Sequence, residues 1–207
     1  MTIDGSTQPG AANRCGTSVD ANGGITDRKL AIQIDGTNVP DVASVGENGI
    51  NIQASNTVIR GLSVVRFRNY GIAATTSGAT NATISCVHSG VLADGMTAAS
   101  NRTSGVITYR NGTVVGGTDI ADRNVLSGNN HYGIYDGLNN NSTTISNTTI
   151  TGNYIGVGID GMTAVGNQVA GILEYGIGST VTGFNICLLY TSPSPRDLST
   201  SRMPSSA

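Results

Sequence analysis

Residues able to do acid–base, metal or nucleophilic chemistry are few and scattered along this 207-residue chain. The histidines are His88, in Val-His-Ser, and His131, in Asn-His-Tyr. Lys29 is the only lysine. Glycoside hydrolysis needs two carboxylates flanking the bond, and no Asp-Asp pair occurs. Abstracting a proton beside a uronate needs a base, with Ca²⁺ or a cation to neutralise the acid. Arg60, Arg66 and Arg68 form a local basic group, but no acid cluster accompanies them in sequence. Arg66 and Arg68 alternate with Phe67, so both are expected to point outward as a solvated face rather than a strip for acidic glycan. Asp94 and Asp160 each open an Asp-Gly-Met-Thr-Ala run. One carboxylate per turn falls well short of the six to eight oxygens that Ca²⁺ takes. An Asp-Gly turn closing a corner accounts for the repeat better. Asp119 and Asp122 precede Arg123, which suits a local salt bridge or an Asx turn. This reading assigns no catalytic, cofactor-binding or metal-ligating residue and no cofactor, and it leans against an enzyme.

Composition narrows the classes further. Charged residues are 12% and the formal net charge is −2, so a basic nucleic-acid surface is excluded. Aromatics are 4% without tryptophan, so stacking platforms are expected to be scarce. No apolar run approaches the roughly 18 residues of a membrane helix, and no secretion signal follows Met1. Cys15, Cys86 and Cys187 show no CxxC spacing. They are expected to be small apolar residues and one spare thiol, in preference to a Cys15–Cys86 disulfide. Asn81, Asn101, Asn111, Asn140, Asn141 and Asn147 begin Asn-x-Ser/Thr sequons, which an Asn/Thr-rich chain produces by composition.

The elements that must carry these residues are short strands. Gly, Thr, Ser and Asn make up 94 residues, and the apolar residues are mostly Val, Ile and Ala. Such a chain suits brief strands joined by tight turns. Residues 83–117 align without a gap on 149–183, with 15 of 35 positions identical, at an offset of 66. A smaller unit is Gly followed by Ile or Val, at Gly49-Ile50, Gly71-Ile72, Gly105-Val106, Gly133-Ile134 and Gly171-Ile172. Strand-like runs lie at Thr57–Ile59, Ser63–Phe67, Thr83–Val87, Thr113–Val115, Thr144–Ser146, Thr149–Thr151 and Thr180–Thr182. Repeats of 20 to 35 residues with short strands predict an all-β fold, a parallel β-solenoid of stacked coils. Ile50, Ile72, Ile84, Val106, Val115, Val125, Ile134, Ile145, Ile150, Ile172 and Val181 are expected inside. Asn and Gly are expected at corners needing positive φ, with stacked asparagines bonding along the axis. Thr149, Thr151, Thr180 and Thr182, with Thr83, suggest a threonine array too short and too interrupted by Val114 for an ice-binding face.

The runs TIDGSTQPG (2–10), TVIRGLSVVRF (57–67), VVGGTDIADRNVLSGNNHYGI (114–134) and TITGNYIGVGIDGMTAVGNQVAGI (149–172) resemble the right-handed parallel β-helix repeats of large secreted bacterial surface, adhesin-like proteins. The resemblance covers residues 2–186; residues 11–48 fit the pattern poorly. It implies a non-catalytic segment of a longer chain, extracellular or cell-surface and monomeric. The segment would present Thr, Asn and Ser rows for weak multivalent contact with glycans or surface proteins. The alternative is a fragment of a polysaccharide lyase or hydrolase of this fold, although Gly-His-Gly and paired aspartates are missing. From residue 187 the texture changes to CLLYTSPSPRDLSTSRMPSSA. This stretch resembles the translation of a sequencing-library adapter. Residues 1–186 are therefore expected to be a β-helix segment incomplete at both ends, and 187–207 a disordered artefact tail.

Overall fold

A three-residue run of β-branched residues cannot bury its own side chains, so each run must stack on its equivalent elsewhere in the chain. The computed structural model describes residues 1–8, 14–40, 47–137, 147–183 and 185–187. The expected run at 144–146, with Ile145, and residues 188–207 of the expected tail lie outside the described residues; Cys187, expected in the disordered tail, instead pairs in a strand with Ile155. The first winding carries β1 (Thr2–Asp4), β2 (Ile32–Asp35) and β3 (Ile50–Asn51). The second carries β4 (Val58–Val65) and β5 (Ile72–Ala74), and the third β6 (Thr83–Ser89) and β7 (Val106–Thr108). The fourth carries β8 (Val114–Gly116), β9 (Val125–Leu126) and β10 (Tyr132–Asp136). The fifth carries β11 (Thr149–Thr151), β12 (Tyr154–Ile155) and β13 (Ala170–Glu174), after which come β14 (Thr180–Thr182) and β15 (Ile186–Cys187).

All ladders between these strands are parallel. One sheet runs β3-β5-β7-β10-β13. The larger sheet is bent, because β4 and β6 turn at Gly61 (φ +72) and Cys86 (φ +53). On one facet β4 and β6 stack with β1, β8, β11 and β14; on the other they stack with β2, β9, β12 and β15. The chain therefore winds past three facets in turn, an all-β arrangement of parallel, curled sheets compatible with a β-helix-like solenoid. Neighbouring windings lie roughly 4.8 Å apart.

The core is a set of register rows. Ile3, Ile59, Ile84, Val115, Ile150 and Val181 align across the first facet. Ile50, Ile72, Val106, Ile134 and Ile172 align across the separate sheet. The middle members of both rows are fully buried. Val181 departs from the expected inward set: it keeps its register with Ile150 but is 50% exposed, because no described strand stacks on the far side of β14.

The Gly-Ile pairs mark a close approach. A Cβ on Gly49, Gly71, Gly105 or Gly133 would lie 2.7–2.9 Å from the carbonyl oxygen of the equivalent glycine on the next winding. Only a residue without Cβ fits there. The 66-residue repeat spans two windings, since Thr83 pairs with Val114 and Val114 with Thr149. At another corner, two residues before β4, β6, β8, β11 and β14, Asn56, Asn81, Gly112, Asn147 and Gly178 all have positive φ.

Asparagines lace the remaining corners. Asn124 donates to the Ile84 carbonyl and to Asn153 Oδ1, both at 2.9 Å; Asn153 donates in turn to Val115 and to Asn185. Asn101, Asn129 and Asn167 form the second ladder. Asn101 is fully buried, so that sequon is closed to modification in the folded chain.

Residues 14–30 do not form a coil. They make a hairpin-like flap, bridged antiparallel at Arg14–Lys29 and Val19–Ile25, and lie outside the second facet. Ile25 packs there with Val91, Val125, Tyr154, Val157 and Val165 in a cluster separate from the central core. Contrary to the sequence expectation, Cys15 and Cys86 are disulfide-bonded, with Cα atoms 5.5 Å apart. Cys86 takes the corner position that glycine fills at Gly61 and Gly152, and from there it reaches the flap. Spacing in sequence gave no hint of this, because the sulfurs are brought together by the flap's fold and not by a motif.

Candidate functional site

The sequence-selected polar residues are not gathered into one site. Lys29 is exposed in the flap. Arg66 pairs with Asp35, and Arg68 Nε donates to the Val39 carbonyl. Arg60, for which sequence offered no acidic companion, lies between Asp4 and Asp122 at 3.8 and 3.7 Å. Asp122 thus meets a residue of the second winding in addition to its own loop.

Asp94 and Asp160 are turn residues. Asp94 Oδ1 accepts from the Met96 and Thr97 amides at 2.8 and 2.9 Å, and Asp160 Oδ1 does the same with Met162 and Thr163. Partial burial disfavours both charges, yet the hydrogen bonds from Thr97 and Met96, or Thr163 and Met162, outweigh it. Both carboxyls are held below their ordinary value. Each turn closes a small hairpin, Val91–Ala98 or Val157–Ala164. Among the described residues no group of three or more His, Cys, Asp or Glu is placed to hold a metal ion.

His88 is fully buried beneath the first of these hairpins, with Nδ1 3.2 Å from the Leu92 carbonyl. That contact puts the proton on Nδ1. Burial, aided by the Arg28 charge, pushes the imidazole down to about 3, so His88 is neutral at physiological pH and inaccessible to substrate. His131 is exposed.

Two arrangements were not anticipated. The first is an acid pair on adjacent windings, since Asp136 of β10 is in register with Glu174 of β13. Asp136 is fully buried and accepts from Thr148 Oγ1 at 2.9 Å and Ser179 Oγ at 2.6 Å. Partial burial, the Asp136 charge and a hydrogen bond with that carboxyl push Glu174 up to about 7. The pair stacks on adjacent windings and ties the corner, with Asp136 buried.

The second is a tyrosine face on the outside of the separate sheet. Tyr135 follows inward-facing Ile134 and so points outward, in the row of Ala73, Ile107 and Leu173. The rings of His131, Tyr132, Tyr135 and Tyr175 form an edge-to-face chain with centroids 5.9, 5.7 and 6.1 Å apart. Tyr109 is capped by the Arg110 guanidinium at 5.1 Å. Tyr70 is pushed up first by burial and then by Tyr135 and Tyr109, which places it beside the same group. Five of the seven tyrosines thus collect on one face. Their spacing in sequence is irregular, and only the strand register reveals the grouping.

Among the described residues no helix is long and apolar enough to cross a membrane. No family model matches the chain, and searches of curated proteins and of solved structures found no match.

Proposed function

We propose that residues 1–186 are a right-handed parallel β-helix segment of a secreted, adhesin-like bacterial surface protein. Its role is non-catalytic: a rigid scaffold whose outward rows make weak, repeated contacts with glycans or surface proteins. The observation that carries this reading is the continuous strand register along the stack, with Thr180 and Thr182 exposed on β14. Thr149 pairs with Thr180 and Thr151 with Thr182, while Thr83 joins the first row through Val114. The Cys15–Cys86 bond supports an oxidising compartment outside the cytoplasm. Residues 187–207, with their adapter-like sequence, take no part in the proposal.

The rival reading is a carbohydrate-active enzyme, favoured by one observation: two carboxyls, Asp136 and Glu174, stacked on adjacent windings. The full burial of Asp136 argues against it. Incubation of the chain with acidic polysaccharides decides between the two. The scaffold reading expects no oligosaccharide release, and release abolished by Asp136→Asn would establish the enzyme.

A further inference from the structure

We propose that the tyrosine face of the separate sheet is a binding platform for acidic glycans, with tyrosine rings under the sugar faces and arginines pairing the carboxylates. The proposal rests on the surface-presentation reading above and moves its main contact from the threonine rows to this face.

The rings are suited to the task. Tyrosine presents a large amphipathic surface with few torsions to freeze. Edge-to-face contacts between Tyr132, Tyr135 and Tyr175 fix their orientations in advance. Tyr175 is 42% exposed, and Tyr132 and Tyr135 are partly exposed. The ring chain follows the fourth winding from His131 to Tyr135 and then steps to Tyr175 of the fifth, so an extended polymer laid along β10 and across to the next winding would meet successive rings.

Charge selects the class of sugar. Arg102 is exposed on the loop entering β7. The amide after it donates to Asn69, and the Thr103 carbonyl in turn accepts from the His131 amide, so Arg102 lies one winding from the ring chain. On the opposite border Arg110 is held by Tyr109 and by a hydrogen bond from its Nε to the Thr75 carbonyl. Both arginines therefore belong to the third winding, one at each border of the sheet, next to the winding that carries Tyr132 and Tyr135. The described carboxyls on the same sheet are the stacked pair, Asp136 being turned inward. A neutral polymer would leave both arginines without a counter-charge.

The test is affinity electrophoresis of the full chain in gels containing polygalacturonate or neutral dextran. Polygalacturonate should retard the chain and dextran should not. Tyr135→Ala/Tyr175→Ala should weaken retardation about tenfold, the loss of two stacking contacts. Tyr135→Phe/Tyr175→Phe should retain it, which separates loss of stacking from loss of fold. Arg102→Ala/Arg110→Ala should weaken it and flatten its salt dependence.

Unchanged retardation of the alanine pair would overturn the proposal, as would equal retardation in dextran. If Thr149→Ala/Thr180→Ala abolished binding while the tyrosine variant kept it, this proposal would fall and the surface-presentation reading would stand. No retardation of the unmodified chain would also overturn the platform, leaving protein partners to that reading. Sugar release into the gel would overturn the non-catalytic reading itself.

Discussion

Replacing the Cys15–Cys86 disulfide tests how the flap is joined to the stack. The two residues are 71 apart in sequence, and opening a loop of that length returns about 4 kcal/mol of chain entropy to the unfolded state. Cys86 sits at φ +53, which costs a residue with a Cβ about 1 kcal/mol and glycine almost nothing. Cys15→Ser/Cys86→Gly should therefore lose about 3 kcal/mol, and Cys15→Ser/Cys86→Ala about 4. For a chain of this size the glycine variant should melt about 9 °C lower. Urea unfolding of the oxidised chain and both variants measures the differences directly. Trypsin should also cut at Lys29 faster in the variants, because Lys29 is exposed in the freed flap. A glycine variant as stable as the bonded chain would refute the loop-closure account. One less stable than the alanine variant would refute the corner argument.

Gly71→Ala should cost about 2–3 kcal/mol or prevent folding, since its Cβ would lie 2.2 Å from Ser89 Oγ and 2.7 Å from the Gly105 carbonyl oxygen; chemical denaturation measures it. Asn129→Ala should cost about 2–3 kcal/mol by stranding buried partners that include the Ser89 carbonyl and Asn167, read in the same way. Glu174 is pushed up to about 7 in the fold from an ordinary 4.5, so the folded state holds the extra proton between those values, and stability falls as pH rises through that window. Glu174→Gln should therefore gain stability relative to the unmodified chain between pH 5 and 8, and a constant difference would contradict the upward shift of Glu174. His88 works in the opposite sense: it is pushed down to about 3 from an ordinary 6.5, so its contribution is lost as pH falls from about 6.5 towards 3. Melting curves across pH 3–6 should show that loss in both the unmodified chain and Glu174→Gln.

What sequence revealed was what repeats locally. Gly-Ile pairs are visible without a structure, because the close approach requires glycine at the same point of every winding. Strands at Thr149–Thr151 and Thr180–Thr182 were likewise legible from their alternation. The runs at Thr57–Ile59 and Ser63–Phe67 read as two strands, whereas β4 continues through a bend at Gly61. The asparagine ladders follow from composition in kind, though not in position. Features that join different windings stayed hidden, because loops of unequal length separate the strands. Asp136 meets Glu174, and Tyr135 meets Tyr175, only once the register of β10 on β13 is known. The disulfide was hidden for a related reason: residues 14–30 leave the repeat, so no periodicity constrains where Cys15 falls.

The correspondence between 66 residues and two windings bears on how such a chain changes length. A tandem duplication of that unit would insert a whole number of turns. Strands downstream would meet the same kinds of neighbours as before, and the cross-section would be unaltered. The molecule would grow by about 10 Å without a new fold having to be found. A duplication that did not span whole windings would leave side chains on the wrong facet and expose the row it was meant to extend. Selection on such genes therefore acts on crossover points spaced by whole windings, and descent can be read from the offset even where loops have diverged. Val114, on the intervening winding between Thr83 and Thr149, fits a unit copied as a pair, whose two members need not match each other.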